Sequence, residues 1–177
     1  MVMFEMRKDE KTPYEMDVKI VENFLDPIDF QKVEEATNVK TWEIQRSDPW
    51  DKTQLDFLYL EKTDDDFFNT YLYKKVKEHL DGKYKLERVY FNGQWSGRDG
   101  NFHVDNCDVT ALLYVSPYEY GWGGFTEIMT SAEEPTLIHP LQNRLVFFPG
   151  MIQHKGYAFC YQSCPMRLSL AFKLNTK

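Results

Sequence analysis

Near its carboxyl end the chain carries the alternating run Arg167-Leu168-Ser169-Leu170-Ala171-Phe172. Side chains on a strand point to opposite faces in turn, so the polar or small residues share one face and the large apolar residues share the other. The run therefore predicts a strand whose apolar face packs on a layer of helices. Arg167 and Ser169 would then point the other way, into the mouth of a barrel or sandwich.

Arg167 is the informative residue of this run. A half-buried guanidinium needs an anionic partner, and its planar fork suits a carboxylate held by two hydrogen bonds. No acid of the chain is obviously placed to supply that carboxylate, which favours the carboxylate of a ligand, with Ser169 beside it. The alternative is an arginine on an edge strand that pairs with an Asp or Glu side chain.

Similar short runs follow Gly82, separated by Gly, Pro, Asn and Asp, and they are typical of strands. We predict seven strands, near Leu86–Phe91, Val109–Val115, Phe125–Ile128, Thr136–His139, Arg144–Phe148, Lys155–Phe159 and Arg167–Leu174. Together they predict a mainly β (α+β) fold, a curled antiparallel sandwich with helices bracing one outer face.

The residues before Gly82 predict one strand and two helices. The strand is expected at Val18–Leu25, and Asp26-Pro27 then predicts the start of a short helix that runs to about Ala36. The acidic run Thr63-Asp64-Asp65-Asp66 predicts the cap of the second helix. These elements are expected to support the strands that follow.

The organisation and charge of the chain limit the classes of protein to which it can belong. We find no linker, so 1–177 is expected to be a single domain in which 1–82 supports a core formed by 83–177. With 21 Lys+Arg against 28 Asp+Glu the net charge is -7, which disfavours nucleic acid as a partner. The sequence does not indicate an oligomeric state.

The sequence also indicates a compartment. Met1–Lys11 holds no apolar run long enough for a signal peptide, and no later run could span a bilayer, so we expect a cytoplasmic protein without a membrane partner. The cysteines, Cys107, Cys160 and Cys164, are odd in number and do not suggest a disulfide framework. They are expected to be free thiols.

A possible metal site begins in Asn101-Phe102-His103-Val104-Asp105. In an extended segment His103 and Asp105 point to the same face and can bind one ion. With His154 they would form the two-histidine, one-carboxylate set that binds Fe(II) in non-haem oxygenases. A His-x-Asp pair alone arises readily by chance. His139 is the alternative third ligand. It is the weaker choice, because it is separated from His103 and no arginine follows it.

Two tyrosines are expected beside this site. Tyr114 lies in Thr110-Ala111-Leu112-Leu113-Tyr114-Val115, and its hydroxyl could bond the carboxylate that Arg167 holds. Tyr90 could reach the same ligand from the opposite wall. Either tyrosine could instead be a core aromatic, which is the commoner role of a tyrosine on a strand.

The order of these residues resembles the 2-oxoglutarate and Fe(II)-dependent oxygenases of the prolyl 4-hydroxylase type. The resemblance covers about half of the chain, from Tyr90 to Lys173. Its motif runs through Tyr90, Gly93, His103-Val104-Asp105-Asn106, Thr110 to Val115, Gly123-Gly124, Arg144 to Phe148, His154 and Arg167.

The resemblance implies a double-stranded β-helix of the jelly-roll or cupin type. It implies a dioxygenase that uses O2 to hydroxylate an unactivated carbon and releases succinate and CO2. Its Fe(II) ligands would be His103, Asp105 and His154. The cosubstrate 2-oxoglutarate would bind the iron through its keto-acid end, near Tyr90, while Arg167 and Tyr114 hold its far carboxylate. Gly123-Gly124 matches paired glycines that need backbone freedom at the start of a strand.

The chain departs from the family pattern at two points. Collagen-type members have a lysine where this chain has Arg167, so the nearer match is to the peptidyl-proline hydroxylases that use arginine. The interval from His154 to Arg167 is a few residues longer than in such relatives. We expect Tyr157 to Pro165 to form an extended turn there.

The substrate is a separate question. By resemblance, the leading substrate is a prolyl residue in a peptide or protein, followed by a free amino acid or other small metabolite. Trp50, Trp95 and Arg98 are candidates for the walls of a substrate groove, although exposed tryptophans can equally be lids or core edges. Two other classes stay open: a cupin-like metal-binding protein that takes no 2-oxoglutarate, with Arg167 in an internal ion pair, and a catalytically silent interaction module.

Overall fold

The computed structural model describes residues 18–45, 56–130 and 134–177. The helical elements are α1, Pro27–Glu35, and a π-helical segment, Phe67–Leu72, that continues into α2, Tyr73–Lys77. The strands are β1 Lys19–Val21, β2 Glu43–Gln45, β3 Phe57–Glu61, β4 Tyr84–Gln94, β5 Val109–Tyr114, β6 Thr126–Ile128, β7 Thr136–Ile138, β8 Leu145–Pro149, β9 His154–Gly156 and β10 Arg167–Thr176. Met1–Lys11 and Trp50, which carried expectations above, lie outside the described residues.

The strands form two antiparallel sheets. The larger has the order β1-β8-β5-β10-β4-β3-β2, and the smaller has the order β7-β6-β9. The two sheets meet in one apolar cluster, in which Leu112, Val146 and Ala171 of the larger sheet pack with Ile128 and Ile138 of the smaller. The mainly β (α+β) sandwich predicted from the sequence is therefore confirmed.

Strand β10 separates this cluster from a second one on the helix side. Leu170, Phe172 and Leu174 are fully buried in the second cluster together with side chains of α1, the π-helical segment and α2. Arg167 and Lys173 face the other way, into a cavity between the sheets. The strict alternation of the run thus sets both the core face and the cavity face of β10.

Phe172 offers a direct test of this core. Phe172→Ala is expected to lower the free energy of unfolding by about 3 to 5 kcal/mol, because the ring is fully buried and its loss leaves a cavity. Urea unfolding followed by circular dichroism measures the change. The matched control is Phe102→Ala, since Phe102 is 44% exposed and its loss should cost less than about 1 kcal/mol. Equal costs for the two variants would contradict this assignment of the core.

The amino-terminal elements differ from prediction mainly in length. Asp26 caps α1 as expected, since its carboxylate accepts from the N–H groups of Ile28 and Asp29 at 3.0 Å each. Strand β1 ends well before Leu25. There the chain turns at Asn23, whose φ is 50°, and the next backbone amides bond to Asn143 instead of continuing the ladder.

The second helical region begins later than its acidic run predicts. Thr63 does not cap it, since its hydroxyl accepts instead from the N–H of Val89 at 3.0 Å. Asp65 accepts from the N–H of Phe67 at 3.1 Å, and the first turns are π-helical. This wider helix alters the side-chain spacing, and Tyr71 within it is 45% exposed.

Two strands were not predicted. Strand β3 reads Phe57-Leu58-Tyr59-Leu60-Glu61, and its first four residues form a continuous apolar run that periodicity alone does not assign to a strand or a helix. It pairs with β4 and brings Tyr59 to the cavity, and β2 extends the sheet beyond it. At the other end of the chain β9 begins at His154 and ends at Gly156, earlier than expected.

Two further expectations can be compared with the structure. No helix in the described ranges is long and apolar enough to cross a membrane. The three cysteines are free, and only Cys107 is buried.

Candidate metal centre and its cavity

The structure brings His103, Asp105 and His154 together. The ligand atoms of the three side chains lie within 4.8 Å of one another. The Nε2 atom of His154 is 3.3 Å from Asp105 Oδ2, and the Nε2 atom of His103 is 3.9 Å from Asp105 Oδ1. Two ring nitrogens and a carboxylate thus converge on one point, as the sequence motif predicted.

Main-chain hydrogen bonds hold the three ligand positions. The N–H of His103 donates to the carbonyl of His154 at 3.1 Å, and the N–H of His154 donates back at 2.9 Å. The N–H of Asp105 donates to the carbonyl of Gly150 at 2.7 Å. Gly150 is required at this contact, because a Cβ atom there would stand 2.3 Å from the carbonyl oxygen of Cys107.

The tautomers of both histidines suit metal binding. The Nδ1 atom of His103 lies 2.9 Å from the carbonyl oxygen of Asn101, and that of His154 lies 2.9 Å from the carbonyl oxygen of Ile152. A carbonyl can only accept, so each Nδ1 carries a proton, and in the neutral ring each Nε2 presents a lone pair to the cluster. Burial lowers the pKa of His103 and favours its neutral form.

Asp105 is a buried, ionised carboxylate. Its Oδ2 atom accepts from the hydroxyl of Thr110 at 2.5 Å and from the ammonium of Lys173. Burial raises the pKa of Asp105, but the positive charge and hydrogen bond of Lys173 oppose burial, and the pKa lies well below its ordinary value. The three side chains therefore fit a divalent cation in their donor atoms, their protonation and their hydrogen bonds.

Arg167 lies in the same cavity and forms no ion pair with an acid of the described residues. Asp99, which lines the same cavity, acts on its charge only from a longer distance. Its side chain is buried, and the residue is only 3% exposed. Its guanidinium donates to three neutral acceptors: the carbonyl of Gly124 at 2.8 Å, Oε1 of Gln94 at 2.8 Å and Oγ1 of Thr126 at 2.9 Å. One N–H on each terminal nitrogen is left without an acceptor in the described part of the chain.

The structure explains why one of the paired glycines, Gly124, must be a glycine. Its φ is +74°, and a Cβ atom there would lie 2.5 Å from the ring of Phe159. Only glycine adopts this conformation readily and leaves room for the ring. The backbone path through Gly124 in turn points its carbonyl at Arg167.

Tyr90 and Ser169 line the cavity, whereas Tyr114, expected to contact the ligand carboxylate, does not. The Tyr114 ring is fully buried 5.4 Å from the Arg167 guanidinium, and its hydroxyl donates to Thr126 Oγ1 at 2.8 Å. Ser169 lies opposite Tyr114 in the β5–β10 register and lines the cavity. Tyr90 lines the other end, with its ring centre 5.7 Å from Lys173 Nζ.

The cavity has a volume of about 320 Å³ and opens between the two sheets. Arg98 lies on its wall, as expected for a substrate groove, together with Arg88 and Tyr59. Trp95 lies elsewhere, in a shallow depression beside Cys164. His139 is outside the metal cluster, since its ring bonds the hydroxyl of Tyr118.

Sequence reasoning missed Lys173, Gln94 and Thr126. Lys173 continues the parity of Arg167 by three more alternations, so extending the run by one residue would have placed it on the cavity face. Gln94 shares the parity of Tyr90 on β4, which gave a weaker signal. Thr126 carried no signal, because its position depends on how the smaller sheet packs on the larger.

Known proteins are similar to this chain in their structure. No protein-family model matches the sequence, and no curated protein matches it. A 2OG-Fe(II) oxygenase family protein from Burkholderia pseudomallei has a TM-score of 0.71 at 11% identity, over 96% of this chain and 93% of that one. A Trichoplax adhaerens prolyl hydroxylase, solved with a hypoxia inducible factor peptide, has a TM-score of 0.71 at 18% identity, over 89% and 83%.

A third similar structure was solved with a metal and 2-oxoglutarate instead of a peptide. HygX from Streptomyces hygroscopicus, solved with nickel and 2-oxoglutarate, has a TM-score of 0.67 at 9% identity, over 90% of this chain and 83% of that one. At these identities the likeness shows the fold. The chain has the double-stranded β-helix fold of the 2-oxoglutarate and Fe(II)-dependent oxygenases, as its sequence motif implied.

Proposed function

We propose that this chain is an Fe(II)- and 2-oxoglutarate-dependent dioxygenase that hydroxylates an unactivated carbon and releases succinate and CO2. One observation carries the proposal. A buried guanidinium, Arg167, shares a cavity with the His103, Asp105 and His154 cluster, and no acid of the described residues is close enough to form an ion pair with it. A buried charge needs a counter-charge, and a dicarboxylate ligand supplies one.

His103, Asp105 and His154 would hold the iron. When bound, Fe(II) with 2-oxoglutarate and O2 supplies the oxidative decarboxylation and the hydroxylation of a C–H bond. The protein's own contribution is to orient these partners and to exclude water. The bonds from Asn101 and Ile152 fix the two imidazole rings, and Thr110 fixes the carboxylate.

Arg167 would hold the far carboxylate of 2-oxoglutarate. Its two unused N–H groups, one on each terminal nitrogen, suit the two oxygens of a carboxylate. Tyr114 orients Thr126, which in turn accepts from Arg167, and Ser169 lies beside them. Tyr90 would contact the metal-binding end of the cosubstrate from the opposite wall.

A prolyl residue in a peptide or protein is the substrate that we propose first. The resemblance in motif and the peptide bound by the Trichoplax prolyl hydroxylase support this choice. Exposed apolar side chains beside the metal ligands, Phe102, Val104 and Met151, would suit the neighbours of such a residue in a peptide. A free amino acid or other small metabolite is the second candidate, because Arg88 and Arg98 on the cavity wall suit a small carboxylate.

Anaerobic addition of Fe(II) and 2-oxoglutarate tests the proposed cosubstrate. We expect a metal-to-ligand charge-transfer band in the visible spectrum, which requires the keto acid to chelate the iron. A cupin-like protein that binds a metal without 2-oxoglutarate would bind Fe(II) but give no band, and that result would contradict the proposal. Succinate formation stimulated by members of a peptide and metabolite panel would then identify the substrate.

A further inference from the structure

Lys173 is a second buried cation in the same cavity as Arg167. Its ammonium donates to Asp105 Oδ2 and lies 3.3 Å from the hydroxyl of Thr110. Its side chain is only 13% exposed. Asp105 is the one carboxylate of the described residues that pairs with it. The amine of a lysine is therefore bonded to the carboxylate that the proposed metal would use.

The β-sheet register fixes this arrangement. Lys173 lies opposite Thr110 on β5 and opposite Arg88 on β4, and its neighbour on the cavity face is Ala171. The ring of Tyr90 covers its other side, 5.7 Å from the ammonium. The ammonium is thus confined beside Asp105 by strands on both sides.

We propose that Lys173 is a resident counter-ion of the metal centre, which neutralises Asp105 when no metal is bound and lowers the affinity for the metal. This inference rests on the proposed function, because it takes the cluster to be a metal site. It assigns a role to a residue outside the three ligands. Lys173 acts through Asp105 and is a positioning residue rather than a catalytic one.

In the metal-free protein, Lys173 is the cation beside the Asp105 carboxylate. Asp105 is buried, and a buried carboxylate without a nearby cation is strongly destabilising. Lys173 provides the cation before any metal arrives. Removing the ammonium would therefore raise the free energy of the metal-free form and leave a site that gains more from taking up a metal.

In the metal-bound protein, Lys173 would oppose the metal. A divalent cation on Asp105 would stand close to the ammonium on the same carboxylate, and two positive charges in a water-poor cavity repel each other. Removing the ammonium would relieve that repulsion. Both effects have the same sign, so a neutral residue at position 173 should tighten metal binding. Thr110 continues to orient the carboxylate in such a variant.

Co(II) titration of the metal-free protein, followed by its visible absorption and without 2-oxoglutarate, tests the inference. We expect Lys173→Met and Lys173→Gln each to bind Co(II) at least about tenfold more tightly than the wild type. Glutamine keeps a hydrogen-bond donor without the positive charge. The metal-free variants should melt at a lower temperature than the wild type and should gain more from saturating Co(II).

Two control variants show whether Co(II) binds at the cluster and whether a change in its affinity is specific to Lys173. Lys85→Met removes an exposed lysine of β4 that pairs with Glu87, and it should leave the Co(II) affinity unchanged. His103→Ala should weaken Co(II) binding strongly. If the wild type binds no Co(II), or if His103→Ala binds it equally well, the metal site and this inference both fail. If binding depends on His103 but both Lys173 variants bind no more tightly than the wild type, only the counter-ion role is overturned.

Discussion

Replacing His103 with alanine is expected to abolish iron-dependent succinate formation and to weaken metal binding by more than about a hundredfold. Loss of a residue that merely orients a metal ligand costs about 10- to 100-fold in affinity, and loss of a ligand itself costs more. His103 is the better choice for this test than His154, because it is less buried and its removal leaves a smaller hole in the core. Fe(II) titration and coupled succinate detection measure the two effects.

His139 provides the matched control for this variant. It is the other histidine that the sequence allowed as a ligand, and it bonds Tyr118 away from the cluster. His139→Ala should therefore keep its iron affinity and its turnover of 2-oxoglutarate. Wild-type turnover in His103→Ala, or loss of metal in His139→Ala, would show that the metal centre has been assigned to the wrong residues.

The second large effect is expected at Arg167. Arg167→Met should raise the KM for 2-oxoglutarate by about a hundredfold or more, since two hydrogen bonds to a charged group contribute about 1.5 to 3 kcal/mol each. Metal affinity should change little, because Arg167 contacts none of the three ligands. Steady-state assays give the KM, and the charge-transfer titration gives the binding constant of 2-oxoglutarate independently of turnover.

Arg98→Met separates this effect from a general loss of positive charge. Arg98 lines the same cavity, so its loss changes the local charge by the same amount as the loss of Arg167. The KM for 2-oxoglutarate should stay within about twofold of the wild type, because an arginine near the opening contributes only a weak, screened attraction. A rise of equal size in both variants would mean that Arg167 is not the specific partner of the carboxylate.

The fold and the site were predictable from sequence to different degrees. The alternation in β10 predicted which residues enter the core and which face the cavity, because parity on a strand is local. His103 and Asp105 were predictable for the same reason. The meeting of these residues with His154 was inferred from the family motif, since no local rule brings together positions that far apart.

What the sequence could not predict depends on tertiary packing. The neutral acceptors of Arg167 come from β4, β6 and the turn at Gly124, three places with no shared local pattern. Strand β3 was missed because an all-apolar run has no diagnostic period. The π-helical start of the second helical region likewise follows from how it packs on the sheet rather than from its residue preferences.

The paired main-chain bonds between His103 and His154 bear on how such a protein can evolve. Those bonds use groups that every non-proline residue carries, so the spacing of the two ligands does not depend on the identity of their neighbours. Phe102, Val104 and Met151 are exposed, and they can be substituted without moving the metal ligands. Related proteins can therefore differ in the molecules that they bind while the geometry of the metal ligands stays the same. This fits a shared architecture at 9 to 18% identity.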